Sequence, residues 1–287
     1  MLGSLNMDLL VRTAHLPEPG ETTLGSAFAI SQGGKGANQA IAAARAGADV
    51  VIIGAVGADT FGHQLIGALA ADGVGTGQLR RVEGPSGIAV ITVDDRAENT
   101  IVVAPGANGM LTSLSADDVR TIAGSALLML QLEVPIETVT AGAQAAVASG
   151  VPVLLNASPV RPLPAELTAA VTVVVVNEGE ERTLGDVLDP VPHVITTLGA
   201  AGARYRGIDG VRASVPSPPV LPVDTTGAGD AFTGAFAVAW IESADPVAAL
   251  RRACAAGALA TTRPGAGGSA PAREHIDELA GATHHRP

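Results

Sequence analysis

Short apolar runs alternate with longer Ala-rich segments through most of this chain. Residues 50–56, 126–130, 151–155, 172–176 and 194–198 are runs of Val, Ile, Leu, Met, Ala, Gly and Thr, broken only by Pro152, the pattern of strands buried on both faces. Between them, residues 37–46, 61–71, 135–149 and 164–170 read as helices. The alternation predicts an α/β fold, a three-layer sandwich in which helices cover both faces of a central, mostly parallel sheet. Ligands in such folds bind beyond the carboxyl ends of the strands.

Three segments break the rhythm. Residues 8–14, 87–93 and 100–104 are strand-like, and no helix separates the last two. They predict a small second sheet fed from two places, about 8–31 and 87–104, inserted in a single domain over residues 1–287. In the second segment Ile88 and Val90 oppose Ala89, Ile91 and Val93; in the third, Ile101 and Val103 oppose Val102 and Ala104. A sheet with one solvated face would be polar there. The second face is therefore expected to be covered, either by the same sheet of another copy or by the chain's own loops. Asp94 and Asp95 predict a solvated hairpin turn between the two strands.

Composition narrows the function classes. Hydrophobic residues make up 47% of the 287, which excludes a disordered chain. A formal charge of −11 and an aromatic content of 2% argue against nucleic acid or an anionic membrane as partner. Cys254 is the sole cysteine, no apolar run reaches membrane-spanning length, and no signal pattern opens the chain. These features predict a soluble, cytoplasmic protein. With six His and no cluster among them, no transition-metal site is visible, and His284 and His285 are expected to lie in an unstructured tail.

The chemistry concentrates in two Gly-rich stretches. Asp224-Thr-Thr-Gly-Ala-Gly-Asp230 runs straight into an apolar helix pattern over 231–241. The N–H groups of Gly227, Ala228 and Gly229 would then lie at a helix N-terminus, where free donors and the dipole suit a phosphate. Asp230 does not suit phosphate as a neighbour, but fits a base that takes the proton of a hydroxyl attacking it. The plainer alternative is a glycine turn whose Asp stabilises the first helical turn. The second stretch, Gly33-Gly-Lys35-Gly-Ala-Asn38, holds the only lysine among 17 Lys and Arg residues, which suggests a place where a planar guanidinium would not fit. Neither G-x-x-x-x-G-K-[ST] nor G-x-G-x-x-G is present, so Walker-type and dinucleotide readings lack support.

Nearly the whole chain resembles the ribokinase-like carbohydrate kinases, with five motifs in the family's order: Gly3-Ser-Leu-Asn6-Met-Asp8, Gly33-Gly-Lys-Gly-Ala-Asn-Gln-Ala40, Asn177-Glu-Gly-Glu180, Thr197-Leu-Gly-Ala-Ala-Gly202 and Asp224–Asp230. The resemblance implies an ATP-dependent kinase acting on the primary hydroxyl of a pentose, ribose first. By that resemblance Asn6, Asp8, Gly34, Lys35, Gly36, Ala37, Asn38 and Glu133 would hold the sugar, with Asp230 as base. Asn177, Thr197, Leu198, Gly199, Ala200, Ala201, Gly202, Gly229, Asp230 and Cys254 would contact ATP. Gly227, Ala228 and Gly229 would form the anion hole, and Glu180 would position Mg²⁺ through water. A K⁺ site is implied at Asp224, Thr226, Ala260, Arg263, Gly265 and Ser269, mostly through carbonyls, and a homodimer through the small sheet.

The residues alone allow plainer readings. Asn6 and Asp8 could cap a turn, Glu133 could be solvated at a strand end, Asn177 and Glu180 could be a helix cap with a first-turn acid, and 262–269 could be a simple loop. Three departures from the family stand out: a short first strand, a short 181–193 region expected to lack a helix, and Cys254 where relatives place His or Asn beside adenine. The same chemistry on deoxyribose, another sugar or a nucleoside is the alternative; a silent sugar sensor is disfavoured because Asp230 and its glycine turn are retained.

Overall fold

The computed structural model describes residues 1–96, 98–243 and 245–282. The chain opens with β1 (Asn6–Arg12) and β2 (Ala27–Gly33), then α1 (Lys35–Arg45), β3 (Val51–Gly57), α2 (Thr60–Ala71) and β4 (Gly75–Val82). It continues with β5 (Gly87–Val93), β6 (Asn99–Ala104), α3 (Ala116–Ala123), β7 (Leu128–Leu130), α4 (Ile136–Ala148), β8 (Val153–Asn156) and α5 (Ala165–Ala170). The last third holds β9 (Val173–Asn177), α6 (Glu178–Leu184), β10 (His193–Thr197), β11 (Ala203–Gly207), β12 (Arg212–Val215), α7 (Ala228–Ser243), α8 (Pro246–Ala260) and α9 (Arg273–Ala282).

The central sheet runs β12-β11-β10-β9-β8-β7 on one side and β3-β4 on the other. Residues 1–3 join the halves: Leu2 bridges both Ile53 and Leu130 in parallel, Leu2 N–H donates to Met129 at 3.0 Å and Gly3 N–H to Ile53 at 2.9 Å. The expected short first strand is thus confined to a bridge at the sheet's centre. All pairs from β7 to β10 are parallel, as is β3–β4, while β10–β11–β12 are antiparallel.

The side-chain alternation of a strand explains the three layers. In β9, Val173 and Val175 pack with α1, α7 and α8, while Val174 and Val176 pack with α3, α4 and α5. Leu154 against Leu155, and Ile195 against Val194, divide the same way. Burial on both faces is why these strands are continuous apolar runs in the sequence.

The helix pair α1–α7 matters most for the site. A Cβ on Gly234 would lie 2.6 Å from the Ala42 Cβ and 2.8 Å from the Ala43 nitrogen, so the two helices touch backbone to backbone. Ala and Gly on both faces permit that approach. The contacts advance in step, residues 38–39 against 230 and 42–43 against 234, so the helices run side by side in the same direction. Both N-termini therefore sit at one end of the molecule.

The second sheet is real and has the order β2-β1-β5-β6. Its β1–β5 pair is parallel and its outer pairs antiparallel. Two sequence expectations need correction. Residues 181–193 are not without helix: α6 extends to Leu184 and a 3₁₀ turn follows over Gly185–Leu188. Asp94 is buried in the β5–β6 turn, not solvated; its burial alone would raise the carboxyl, but N–H groups of Glu98 and Arg96 at 2.9 Å hold it below the usual range. The tail with His284 and His285 lies outside the described residues.

Candidate active site

Asp230 occupies the first turn of α7 and is buried. Both carboxylate oxygens accept from α1: Asn38 Nδ2 reaches Oδ2 at 3.0 Å and Gln39 Nε2 reaches Oδ1 at 2.9 Å. The Gln39 amide also donates to Asn156 Oδ1 at 3.0 Å, and Asn156 Nδ2 is fixed to the Val175 carbonyl at 3.1 Å. The carboxylate is thus held from α1 and, through two amides, from the central sheet. Sequence reasoning named Asn38 but passed over Gln39 and Asn156. The usable signal was Gln39 itself, a polar side chain on the apolar face of an Ala-rich helix, where burial demands a partner.

The head of α1 is capped from far away. Its N-cap is Gly34, which has no side chain to offer and a φ of 88°. Glu133 supplies the missing acceptor: Oε2 takes the Lys35 N–H at 2.9 Å and the Ser4 hydroxyl at 2.6 Å, while Ser4 Oγ accepts from the Gly36 N–H at 3.1 Å. A carboxylate suits the positive end of a helix dipole. Glu133 is therefore a structural anchor for Lys35 with its second oxygen left over, not a solvated strand-end acid. Ser4, which mediates this, was another residue missed in the sequence.

Asp8 lies over Gly33, where a Cβ would fall 2.1 Å from the carboxylate. Burial, then the negative charges of Glu133 and Asp230, push Asp8 up to about 7. Lys35 stands among the same groups: burial alone would lower it, but Asp230, Glu133 and Glu180 raise it above its ordinary value. The structure gathers Asp8, Lys35, Asn38, Glu133 and Asp230 from both sheets and both helix heads. Asn6 is buried at the start of β1 beside Asn108, another residue the sequence reading passed over.

The anion-hole turn is built as its glycines suggest. Gly227 has φ 76°, and a Cβ there would meet the Ala266 Cα at 2.7 Å, whereas Gly229 faces open space. Ala228 N–H makes a long 3.3 Å bond to Thr225; among the described residues, the N–H groups of Gly227, Gly229 and Asp230 have no acceptor. Free donors at a helix start are an anion site in waiting.

The remaining motifs ring this turn. Asn177 and Glu180 form a capping box at the head of α6, each side chain accepting the other's N–H at 2.8 Å. The plain helix-cap reading is therefore what their geometry realises. One Glu180 oxygen is left free of that box, and its charge reaches Lys35. Thr197 ends β10, and Leu198 to Gly202 make a tight turn in which Leu198 N–H bonds the Gly202 carbonyl at 2.8 Å and Gly199–Ala201 form a 3₁₀ turn. Cys254 is buried on α8, its thiol turned to the Val215 carbonyl at 3.7 Å and pushed up to about 12 by burial. It is an inert core thiol beneath β12.

Asp224 clips two loops together. Its Oδ1 accepts from the Thr226 N–H and its Oδ2 from the Gly265 N–H, both at 2.9 Å. Burial would raise it, but these donors hold it below the usual range. Ser269 is buried and donates to Ala266 at 2.7 Å, and Ala260 accepts from Arg263 at 3.3 Å. Among the described residues nothing donates to the carbonyls of Thr226, Arg263, Gly265 or Ser269. Unpaired carbonyls beside a carboxylate fit a weakly hydrated monovalent cation. Arg45 holds the far end of this loop, donating from Nη1 to the Gly268 and Ala270 carbonyls at 2.9 and 2.8 Å while pairing with Asp72.

A buried carboxylate beside a helix-head turn of free N–H groups, at one end of a three-layer α/β fold, suits phosphoryl transfer to a hydroxyl. The sequence matches the pfkB family carbohydrate kinases over residues 1–273. The ribokinase of Bacillus subtilis (strain 168) is 40% identical over 97% of this chain and 98% of its own. The deoxyribokinase of Salmonella typhi is 35% identical over 97% of each chain. A ribokinase from Arabidopsis thaliana, solved in complex with ribose and ATP, superposes with a TM-score of 0.90 at 31% identity, covering 97% of each chain. The chain belongs to the pfkB family of carbohydrate kinases.

The raised carboxyl of Asp8 has a measurable effect on stability. Between its ordinary 3.8 and about 7 the folded protein keeps a proton that the unfolded chain gives up. Stability attached to Asp8 therefore falls as pH rises through that window and is at its lowest above 7. Asp8→Asn is expected to raise the urea midpoint at about pH 8 and to leave it nearly unchanged at about pH 4. An equal shift at both pH values would show that the carboxylate carries no buried charge.

Proposed function

We propose that this kinase transfers the γ-phosphate of ATP to the primary 5-hydroxyl of D-ribose, giving ribose 5-phosphate. The observation that carries the reading is the placement of Asp230. A carboxylate fixed from two sides sits next to unpaired N–H groups at a helix head, with the Asp8–Lys35–Glu133 group beside it. The likeness to ribokinases along nearly the whole chain supports the acceptor.

In this reading Asn6, Asp8, Lys35, Asn38 and the free oxygen of Glu133 hold the sugar hydroxyls, with Gly34, Gly36 and Ala37 lining the approach. Asp230 takes the proton of the 5-hydroxyl as its oxygen bonds to the γ-phosphorus. The bond to the β,γ-bridging oxygen breaks, and ADP leaves with that electron pair. The N–H groups of Gly227, Ala228 and Gly229 face the charge that builds on the transferring group. Asn177, the 197–202 turn and the α8 segment around Cys254 border the nucleotide. Mg²⁺, approached through water by Glu180, would neutralise phosphate charge, and K⁺ at the carbonyls beside Asp224 would stiffen the 224–229 turn. A deoxyribose acceptor is the second reading, favoured by the Salmonella relative.

No helix among the described residues is long and apolar enough to cross a membrane, and we place the enzyme in the cytoplasm. We also propose a homodimer through the small sheet. Ile30, Leu9, Val90 and Val102 are paired across the four strands and so share one face. Val102 is 63% exposed, Ile30 50% and Val90 42%, and Phe28 on the same face is 62% exposed. Asn6 and Asp8 belong to the other face, so the bare apolar row points away from the site. A contiguous apolar patch on a charged, acidic protein calls for a covering partner, and a second copy presents the same row.

An ATP-consumption assay across pentoses, hexoses and nucleosides should give ribose the highest turnover, and replacing K⁺ by tetramethylammonium at equal ionic strength should lower it. A better rate with fructose or adenosine would move the acceptor elsewhere, and equal rates in both salts would remove the cation. Asp230→Asn should cut kcat by roughly 10² to 10⁴ with sugar binding nearly intact. A variant within about threefold of the parent would mean the proton goes elsewhere. Light scattering at micromolar protein should return a dimer mass; a monomer would leave the apolar row uncovered and reject the pairing.

A further inference from the structure

Asn108 makes three hydrogen bonds from one buried amide. Its Oδ1 accepts the Leu5 N–H at 2.9 Å; its Nδ2 donates to the Leu5 carbonyl at 3.0 Å and to Asn6 Oδ1 at 2.8 Å. An amide's two ends are usually interchangeable on shape alone. Here they are not, because a backbone N–H can only donate and a backbone carbonyl can only accept. Leu5 therefore fixes which end of Asn108 is nitrogen, and that nitrogen in turn fixes which end of Asn6 is oxygen.

We infer that Asn108 is a positioning residue for sugar binding, setting Asn6 to present its NH₂ group, as donor only, to a sugar hydroxyl. The Nδ2 of Asn6 has no acceptor among the described residues and, unlike Oδ1 of Asn38 or Oε1 of Gln39, is not sealed from water. Two residues along the same face of β1, Asp8 supplies an acceptor. A donor and an acceptor at this spacing take neighbouring hydroxyls in opposite senses, one by its oxygen and one by its hydrogen. Gly87 belongs to the same device: a Cβ there would fall 2.2 Å from Asn108 Nδ2 and 2.3 Å from Asn6 Oδ1, driving the two amides apart. The first residue of β5 is thus small so that a turn beyond the small sheet can hold the sugar-facing amide in that sheet.

The inference rests on the proposed sugar site, and the test separates the two. Asn108→Asp keeps the acceptor for Leu5 N–H but removes both donors, so Asn6 turns its NH₂ inward to the new carboxylate and offers oxygen to the sugar. Ribose binding is measured by calorimetry without ATP, and turnover by the coupled assay. The expected result is ribose affinity down by about tenfold or more, kcat within about threefold and the KM for ATP unchanged. Ribose affinity within about twofold of the parent, whatever happens to the melting temperature, overturns the positioning role. Should that variant fail to fold, Asn6→Asp, which can only accept, decides: affinity kept within about twofold overturns the donor assignment, and a loss of about tenfold supports it. If the parent itself gives no heat with ribose, the ribose reading falls, and the same comparison on the sugar turned over best decides the role of Asn108.

Discussion

The close, parallel contact of α1 and α7 is the constraint on which the site depends. Two helices that run the same way and touch at Ala42, Ala43 and Gly234 must bring their heads to the same height. One head carries Lys35, Asn38 and Gln39, the other the glycine turn and Asp230. The hydrogen bonds from Asn38 and Gln39 to Asp230 then convert helix packing into the orientation of a carboxylate. Two positive helix ends facing one space also favour the negative charge that phosphoryl transfer gathers there. The abundance of Ala and Gly in both helices thus sets the orientation of the Asp230 carboxylate as well as the packing.

The central strands were legible because they are buried on both faces. Val173 to Val176 can be nothing but an interior strand, and β3, β8 and β10 were readable for the same reason. The elements that escaped are those whose identity comes from their partners. In β11, Ala-Arg-Tyr-Arg-Gly alternates charge with burial and is a strand only because β10 and β12 flank it. In β2, Ala-Phe-Ala-Ile is too short an apolar run to mark a strand by itself, and its side chains stay exposed; pairing with β1 makes it one. Asp94 was misjudged because nothing local reveals that a turn residue will fold back on its own backbone donors.

At the site, most residues proposed to touch ligand sit in glycine-rich motifs that announce themselves, and the supporting ones do not. Gln39 meets Asn156 across 117 positions, Ser4 meets Glu133 across 129, and Asn108 meets Asn6 across 102. Each is an ordinary polar side chain in its own neighbourhood. Only the fold shows that burial has left it one possible partner. Glu133 shows the opposite lesson: the family resemblance suggested a ligand contact, yet one of its oxygens is already committed to the helix that carries Lys35.

The junction of β2 and α1 has a mechanical consequence. The strand ends at Gly33 and the helix begins at Lys35, so a single residue, Gly34 at φ 88°, separates the small sheet from the α1–α7 pair. There is no slack linker to absorb rotation. Any tilt of the sheet passes through one backbone joint into the first turn of α1, the element that holds the Asp230 carboxylate. In the proposed reaction, holding the sugar and orienting the carboxylate are therefore coupled through one backbone joint.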